Sequence, residues 1–440
     1  MEVDKSFSKL LVIFFLLLSV GLHLFRLGFP ASPAFDERYF ATYAADYRLH
    51  RAFIDVHPPL GKIIYALPLF LFDQSHFEKI HFIDVKISST GQITPEPYSN
   101  PYGAFPYLTL RFVSALFGVL LVFAIYYFLK NLTQNESIAL LGMFFAVFEN
   151  AILVDTRFIL LNGMYLSFAF LALALILKQK PRPILGGVLW GLSLSVKLIA
   201  VTFLAPLIVA YFFKKGWLSK RQIILFIAIG FFVLALVWFF GNLLFIPATD
   251  RVTLHQPIFT PNNTQIMPAT NSLLTAIKAT TMEILFSAAG YTSGGINPKN
   301  VIHSYWYAWP LMYKPISFFH DLGKQIVSAG NPTVWIFSLL TLLSLIWRAF
   351  RKTEELKNDQ PTLILASGYI ASILPFVFVN RATYIYHYLP AFIFSLCLAA
   401  LFFEKYLQTE GSQNKILPLV LTISAVVLGF VVVAPFTYGL

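Results

Sequence analysis

Residues 108–130 read Leu-Thr-Leu-Arg-Phe-Val-Ser-Ala-Leu-Phe-Gly-Val-Leu-Leu-Val-Phe-Ala-Ile-Tyr-Tyr-Phe-Leu-Lys. Between Arg111 and Lys130 no charge interrupts the run. As a helix rising about 1.5 Å per residue, such a run covers the roughly 30 Å hydrocarbon core of a bilayer. Comparable runs place further helices at about 8–26, 137–154, 157–177, 183–197, 198–213, 221–246, 332–349, 361–379, 384–403 and 415–437. The run 184–213 is too long for one ordinary span, and a charge at midspan is costly, so it divides at Lys197. The pattern predicts an all-α integral membrane chain, one polytopic unit over 1–440, with about eleven spans.

Composition agrees. The 440 residues are 58% hydrophobic and 12% charged, against roughly 25% charged in an ordinary soluble domain. The net charge of +11 does not point to nucleic acid, because the basic residues sit in short links between apolar runs. Lys5, Lys9, Lys130, Lys178, Lys180, Arg182, Lys214, Lys215, Lys220, Arg221, Arg348, Arg351, Lys352, Lys357, Lys405 and Lys415 all fall on one side of the alternation. Short basic loops stay in the cytoplasm, so the N-terminus is expected inside a cell membrane and the C-terminus outside. Two long loops, about 27–107 and 247–331, then lie on the outer face. The first run exceeds a usual signal core and is read as a retained helix, although Ala31-Ser32-Pro33-Ala34 offers small residues for cleavage. Cys397 lies in an apolar run and reads as a packing residue.

Polar chemistry concentrates after the first span. The segment runs Phe35-Asp36-Glu37-Arg38-Tyr39-Phe40, then Ile54-Asp55-Val56-His57-Pro58-Pro59-Leu60-Gly61-Lys62. Stretch 37–50 forms a short interfacial helix with Asp36 at its start, the prolines stop a helix near His57, and 60–72 lies along the membrane. Asp36 and Glu37 capping a helix, with Asp55 solvating a turn, is the plainer reading. Carboxylates are scarce in this chain, however, and these cluster among aromatics. A carboxylate beside a lipid substrate can act as base toward a hydroxyl. Asp55 and His57 are candidates for substrate contact.

Arg111, Arg157, Lys197 and Arg381 all fall at the outer ends of spans, against the usual charge bias. Four cations there suggest an anion, and a lipid phosphate fits. Asp155 and Arg157 pairing across a tight outer turn is the structural alternative. In the second loop, His303-Ser304-Tyr305-Trp306-Tyr307-Ala308-Trp309-Pro310 is an aromatic belt, a stacking wall for a sugar, or the support of a re-entrant helix. His303, Trp306 and Trp309 are the substrate-binding candidates there. Metal-ligand spacing is absent, and a divalent ion at Glu37 and His303 is only a weak composite site. No cofactor is expected.

These motifs resemble a known family. Phe35-Asp36-Glu37 with Asp55-Val56-His57-Pro58-Pro59-Leu60-Gly61-Lys62 is similar to the first-loop signature of the protein O-mannosyltransferases. Arg111-Phe112-Val113-Ser114-Ala115-Leu116-Phe117-Gly118, Arg157-Phe158-Ile159-Leu160-Leu161, Ser195-Val196-Lys197, the His303 aromatic motif and Tyr386-His387-Tyr388-Leu389-Pro390 follow in that family's order. The resemblance implies a GT-C type glycosyltransferase fold and a prokaryotic type without the extra sugar-binding domain of eukaryotic members. It implies a polyprenyl-phosphate donor carrying mannose and a Ser or Thr hydroxyl of a protein as acceptor. It implies that Asp36 is the base, Glu37 part of the acceptor site, and Arg111 near the donor phosphate. Asn162 stands where relatives often carry Asp. The reaction expected is one displacement at the anomeric carbon, with inversion. A lipid or cell-envelope glycan acceptor is the alternative, and a transporter is the reading from a different class.

Overall fold

The computed structural model describes residues 5–50, 55–77, 85–87, 93–95, 101–213, 218–245, 304–351, 354–379, 383–409 and 415–440. Every one of the eleven apolar segments contains helix. The first, α1, is Lys5–Leu24. Two short helices follow in the first loop, α2 (Glu37–Arg48) and α3 (Leu60–Ala66), the latter continued by a 3-10 turn, Leu67–Leu71. Then come α4 (Tyr107–Thr133), α5 (Glu136–Val147), α6 (Asn150–Arg157), α7 (Asn162–Ile176), α8 (Pro183–Val196), α9 (Leu204–Phe213) and α10 (Lys220–Phe245). After the second loop are α11 (Pro332–Phe350), α12 (Glu354–Asn358), α13 (Gln360–Val377), α14 (Leu389–Thr409) and α15 (Ile416–Tyr438). Among the described residues, seven helices are each long and apolar enough to cross a bilayer, and α5 with α6 makes an eighth if that bent pair is one span. The chain is a multi-pass membrane protein.

Two breaks position the polar residues. The expected helix 137–154 bends by 62° between α5 and α6. Glu149 causes it, as a buried acid that turns to the backbone. Its Oε1 caps Ala151 N at 3.1 Å and accepts from Asn331 N at 3.0 Å and Trp335 Nε1 at 3.2 Å. Asn331 in turn donates through Nδ2 to Phe148 O and Val426 O, both at 2.8 Å. The break is thus stitched to α11 and α15. The second break is at Lys197, extended at φ −146, ψ 127, after which Leu198–Phe203 is a 3-10 turn leading into α9.

Close packing holds α8 on α10. Gly187 and Gly191, four apart, face α10, where a Cβ on Gly191 would lie 2.5 Å from the Gly230 carbonyl. Small residues at this spacing let helix backbones approach within a membrane. Trp190 between them stacks on Phe226, with ring centroids 5.4 Å apart.

The all-helical expectation needs one addition. The end of the second loop folds as an antiparallel hairpin, β3 (Ile316–Asp321) and β4 (Lys324–Ser328); the first loop holds a smaller pair, β1 (Val85–Ile87) and β2 (Ile93–Pro95). Leu322 and Gly323 turn the larger hairpin with φ +47 and +77, the left-handed geometry that matches strand twist.

Candidate active site

Asp36 and Glu37 adjoin in sequence but meet opposite surroundings. Phe35 sets the geometry. It sits at φ 51, its N–H donates to Phe318 O of β3 at 3.0 Å, and its ring packs on Phe318 and Tyr386. Glu37, fully buried at the start of α2, then points into the protein. Its Oε2 accepts from Ala34 N (2.9 Å), Tyr102 OH (3.2 Å) and Arg111 Nη2 (2.7 Å). Its Oε1 accepts from Arg111 Nε (2.9 Å) and Ile159 N (2.8 Å). Five donors saturate the carboxylate.

Asp36 precedes α2 but does not cap it through its side chain. Among the described residues nothing hydrogen-bonds its carboxylate. The group is half-buried. Burial pushes its pKa up to about 6, against the attraction of Lys197 and Arg38 and with Asp55 adding to the rise. A carboxylate poised there is mostly ionised at neutral pH, yet basic enough to accept a proton. Glu37 therefore anchors the turn, and Asp36 is left available.

That anchoring revises the reading of Arg111. Its guanidinium is wholly buried, and besides Glu37 it donates to the carbonyls of Leu27 (3.1 Å), Pro30 (2.8 Å) and Ser32 (3.2 Å). All five N–H groups are engaged, so none is left for a phosphate. The five donors on Glu37 likewise leave it unsuited to acceptor contact or to a metal ion. Arg157 also turns inward. It lies on α6 rather than in a turn, and it donates to His23 O at 3.1 Å, Thr437 O at 3.2 Å and Phe25 O. These carbonyls end α1 and α15, where a cation is favoured by the helix dipole. The Tyr438 ring covers it at 4.4 Å.

Asp155 does not pair with Arg157. It accepts at Oδ1 from Asn162 Nδ2 (2.9 Å), and Asn162 Oδ1 accepts from Lys197 Nζ (2.7 Å). Lys197 lies 5.7 Å from the ring centroids of both Tyr165 and Tyr386. Asp55 pairs with Lys62 at 2.6 Å, and Lys62 also donates to His57 O at 2.6 Å. Burial raises the Asp55 pKa, but Lys62 and His57 outweigh it and hold it below the usual range. The His57 ring stacks on Phe40, centroids 6.1 Å apart. Asp36, Asp55, His57 and Lys197 thus gather at one end of the bundle, around the Glu37–Arg111 anchor.

The second-loop aromatics divide. Trp309 is completely buried, donates Nε1–H to Ser304 Oγ at 2.9 Å, and lies flat against His387 at 6.2 Å and 11°. It is a framework residue that joins the 304–311 segment to the Tyr386-His387-Tyr388 turn, not an open stacking wall. Trp306 is half-buried and meets Tyr307 edge-on. His303 and Arg381 lie outside the described residues.

Sequence reasoning overlooked Glu149, although an acid within an apolar run was a visible signal. It also left Arg38, beside Asp36, without a role.

Comparison with known proteins fits this architecture. The profile for "Dolichyl-phosphate-mannose-protein mannosyltransferase" matches residues 13–252, and that for the "C-terminal four TMM region of protein-O-mannosyltransferase" matches residues 283–440. The chain belongs to this family. Similar to this family member are Protein O-mannosyltransferase 1 of Drosophila melanogaster, 30% identical over 178 residues (40% of this chain, 18% of that protein), and dolichyl-phosphate-mannose–protein mannosyltransferase 1 of Schizosaccharomyces pombe, 30% identical over 229 residues (49% and 23%). The matches thus span about a fifth of those relatives' lengths. The S. cerevisiae Pmt1-Pmt2 complex bound to the sugar donor shares the GT-C type fold, with TM-score 0.76 and 15% identity, over 100% of this chain and 91% of that one.

Proposed function

We propose that this protein O-mannosyltransferase family member transfers mannose from a polyprenyl-phosphate carrier to a Ser or Thr hydroxyl of a protein, on the non-cytoplasmic face of the membrane. The observation that carries the reading is the half-buried Asp36 carboxylate, free of hydrogen bonds among the described residues and fixed by its saturated neighbour Glu37. Family membership and the printed names of the relatives support the donor and acceptor classes.

Asp36 takes the acceptor proton as the hydroxyl oxygen bonds the anomeric carbon. The carbon–phosphate oxygen bond breaks on the opposite side, and the carrier leaves as a phosphate. That group needs neutralising charge rather than a strong acid. Lys197 supplies one cation near Asp36, and Arg381 is a second candidate. Asp55 and His57, braced by Lys62, border the acceptor side. One displacement inverts the anomeric configuration, and mutation of a base typically costs 10²–10⁴-fold.

The test is transfer by the purified full chain, given polyprenyl-phosphate mannose with either a Ser/Thr-rich peptide or a glycolipid acceptor. Inverted mannosyl peptide from the wild type, and its loss in folded Asp36→Asn, are expected. Transfer to the glycolipid alone, a covalent glycosyl-enzyme, or full activity in Asp36→Asn would overturn the reading.

A further inference from the structure

We propose that Asn162 is a positioning residue that, oriented by Asp155, holds the Lys197 ammonium toward the Asp36 side of the site. Three residues from three helix ends meet here. Asn162 opens α7, Asp155 lies in the last turns of α6, and Lys197 follows the last residue of α8. Asn162 is 5% exposed and Asp155 2%, so both polar atoms of the Asn162 amide depend on protein partners.

Those partners fix which way the amide faces. A carboxylate oxygen only accepts, so Asp155 Oδ1 selects the amide Nδ2, 2.9 Å away. The amide oxygen is then turned toward Lys197 Nζ, at 2.7 Å. Rotating the amide by half a turn would set two oxygens against each other at Asp155 and two donors against each other at Lys197. The lysine stem leaves an extended residue between two helical segments, with no helix to limit where its ammonium goes. The Tyr165 and Tyr386 rings flank the ammonium, and the Asn162 oxygen sets its direction between them. The charges facing Asp36 are Lys197 and Arg38, with Asp55 and Asp155 opposing them. Moving Lys197 therefore alters both the charge offered to a phosphate and the basicity of Asp36.

This inference deepens the proposed transfer reaction and rests on it for its catalytic meaning, but the placement of Lys197 is measurable alone. Competitive acylation of Lys197, read by mass spectrometry on the purified full chain, needs no substrate. Asn162→Ala is expected to speed labelling about tenfold, the value of one charge-assisted hydrogen bond. Asn162→Asp, which keeps an acceptor for Nζ but sets a second carboxylate beside Asp155, is expected to label no faster than the wild type. Unchanged labelling in folded Asn162→Ala, or equal acceleration in Asn162→Asp, would overturn the proposal. In the transfer assay, Asn162→Ala should move the acid limb of kcat/KM to higher pH and have no further effect in a Lys197→Ala background. Additive losses in that pair would also overturn it. Protected labelling in a wild type that transfers no mannose would instead reject the functional reading and leave the positioning role standing.

Discussion

Replacing Glu37 with Gln puts the anchor of the site to a direct test. The carboxylate receives three donors on Oε2 and two on Oε1. A glutamine amide offers an acceptor on one side only. Its better orientation keeps the oxygen at the three-donor side and sets its NH2 against Arg111 Nε and Ile159 N. Arg111, wholly buried, is also left without its counter-charge. Removing one partner of a buried ion pair costs about 3–5 kcal/mol, a large share of the roughly 5–15 kcal/mol that holds a typical fold. Thermal unfolding of the purified protein, followed by tryptophan fluorescence, should show a clear drop for Glu37→Gln. Transfer should fall as well, because the turn carrying Asp36 loosens. Arg111→Met should be comparably damaging, and the double variant no worse than the worse single, since the uncompensated charge is then gone. Losses that add across the pair, or a Glu37→Gln protein as stable as wild type, would refute the anchoring argument.

Three further outcomes are expected. Because the Asp36 pKa is raised to about 6, its ionised form prevails above that value; kcat/KM should fall as pH drops through about 6, and Lys197→Ala should shift that midpoint upward. Trp309→Ala should cost about 3–5 kcal/mol of stability while the folded fraction keeps its donor KM, whereas a sugar-stacking Trp309 would raise KM. Gly191→Ala should lose about 1–3 kcal/mol by forcing α8 from α10, seen as a lowered unfolding temperature, while Gly21→Ala, with nothing within 4 Å of the added carbon, should be tolerated.

The helices were legible because a membrane demands long uncharged runs, and α4 states that demand in plain sequence. Even the division at Lys197 followed from the cost of a midspan charge. Glu149, an acid inside an apolar run, was a visible signal for the bend, but the partners that hold it, Asn331 and Trp335, lie far along the chain and were not legible. Residue type and motif single out Asp36, Asp55, His57 and Lys197, and the fold brings these four to one end of the bundle. The division of labour between Asp36 and Glu37 was hidden, since it depends on donors from Arg111, Tyr102 and Ile159. Arg111 and Arg157 turn inward for a related reason. A cation at a helix end is drawn equally by a ligand phosphate and by bare carbonyls, and only tertiary contacts distinguish them.

The clasp made by Arg157 has a consequence for biosynthesis. Its side chain joins the end of the first helix to the Thr437 carbonyl, 280 residues beyond Arg157 itself, and Tyr438 reaches back to Leu22 O at 3.0 Å. Insertion proceeds from the N-terminus, so α6 enters the bilayer long before α15 exists to complete that clasp. In the interval Arg157 has lost a partner it will later need, and water or lipid headgroups must stand in. Until α15 inserts, Arg157 has only the His23 and Phe25 carbonyls, so α15 closes the clasp as well as walling the bundle.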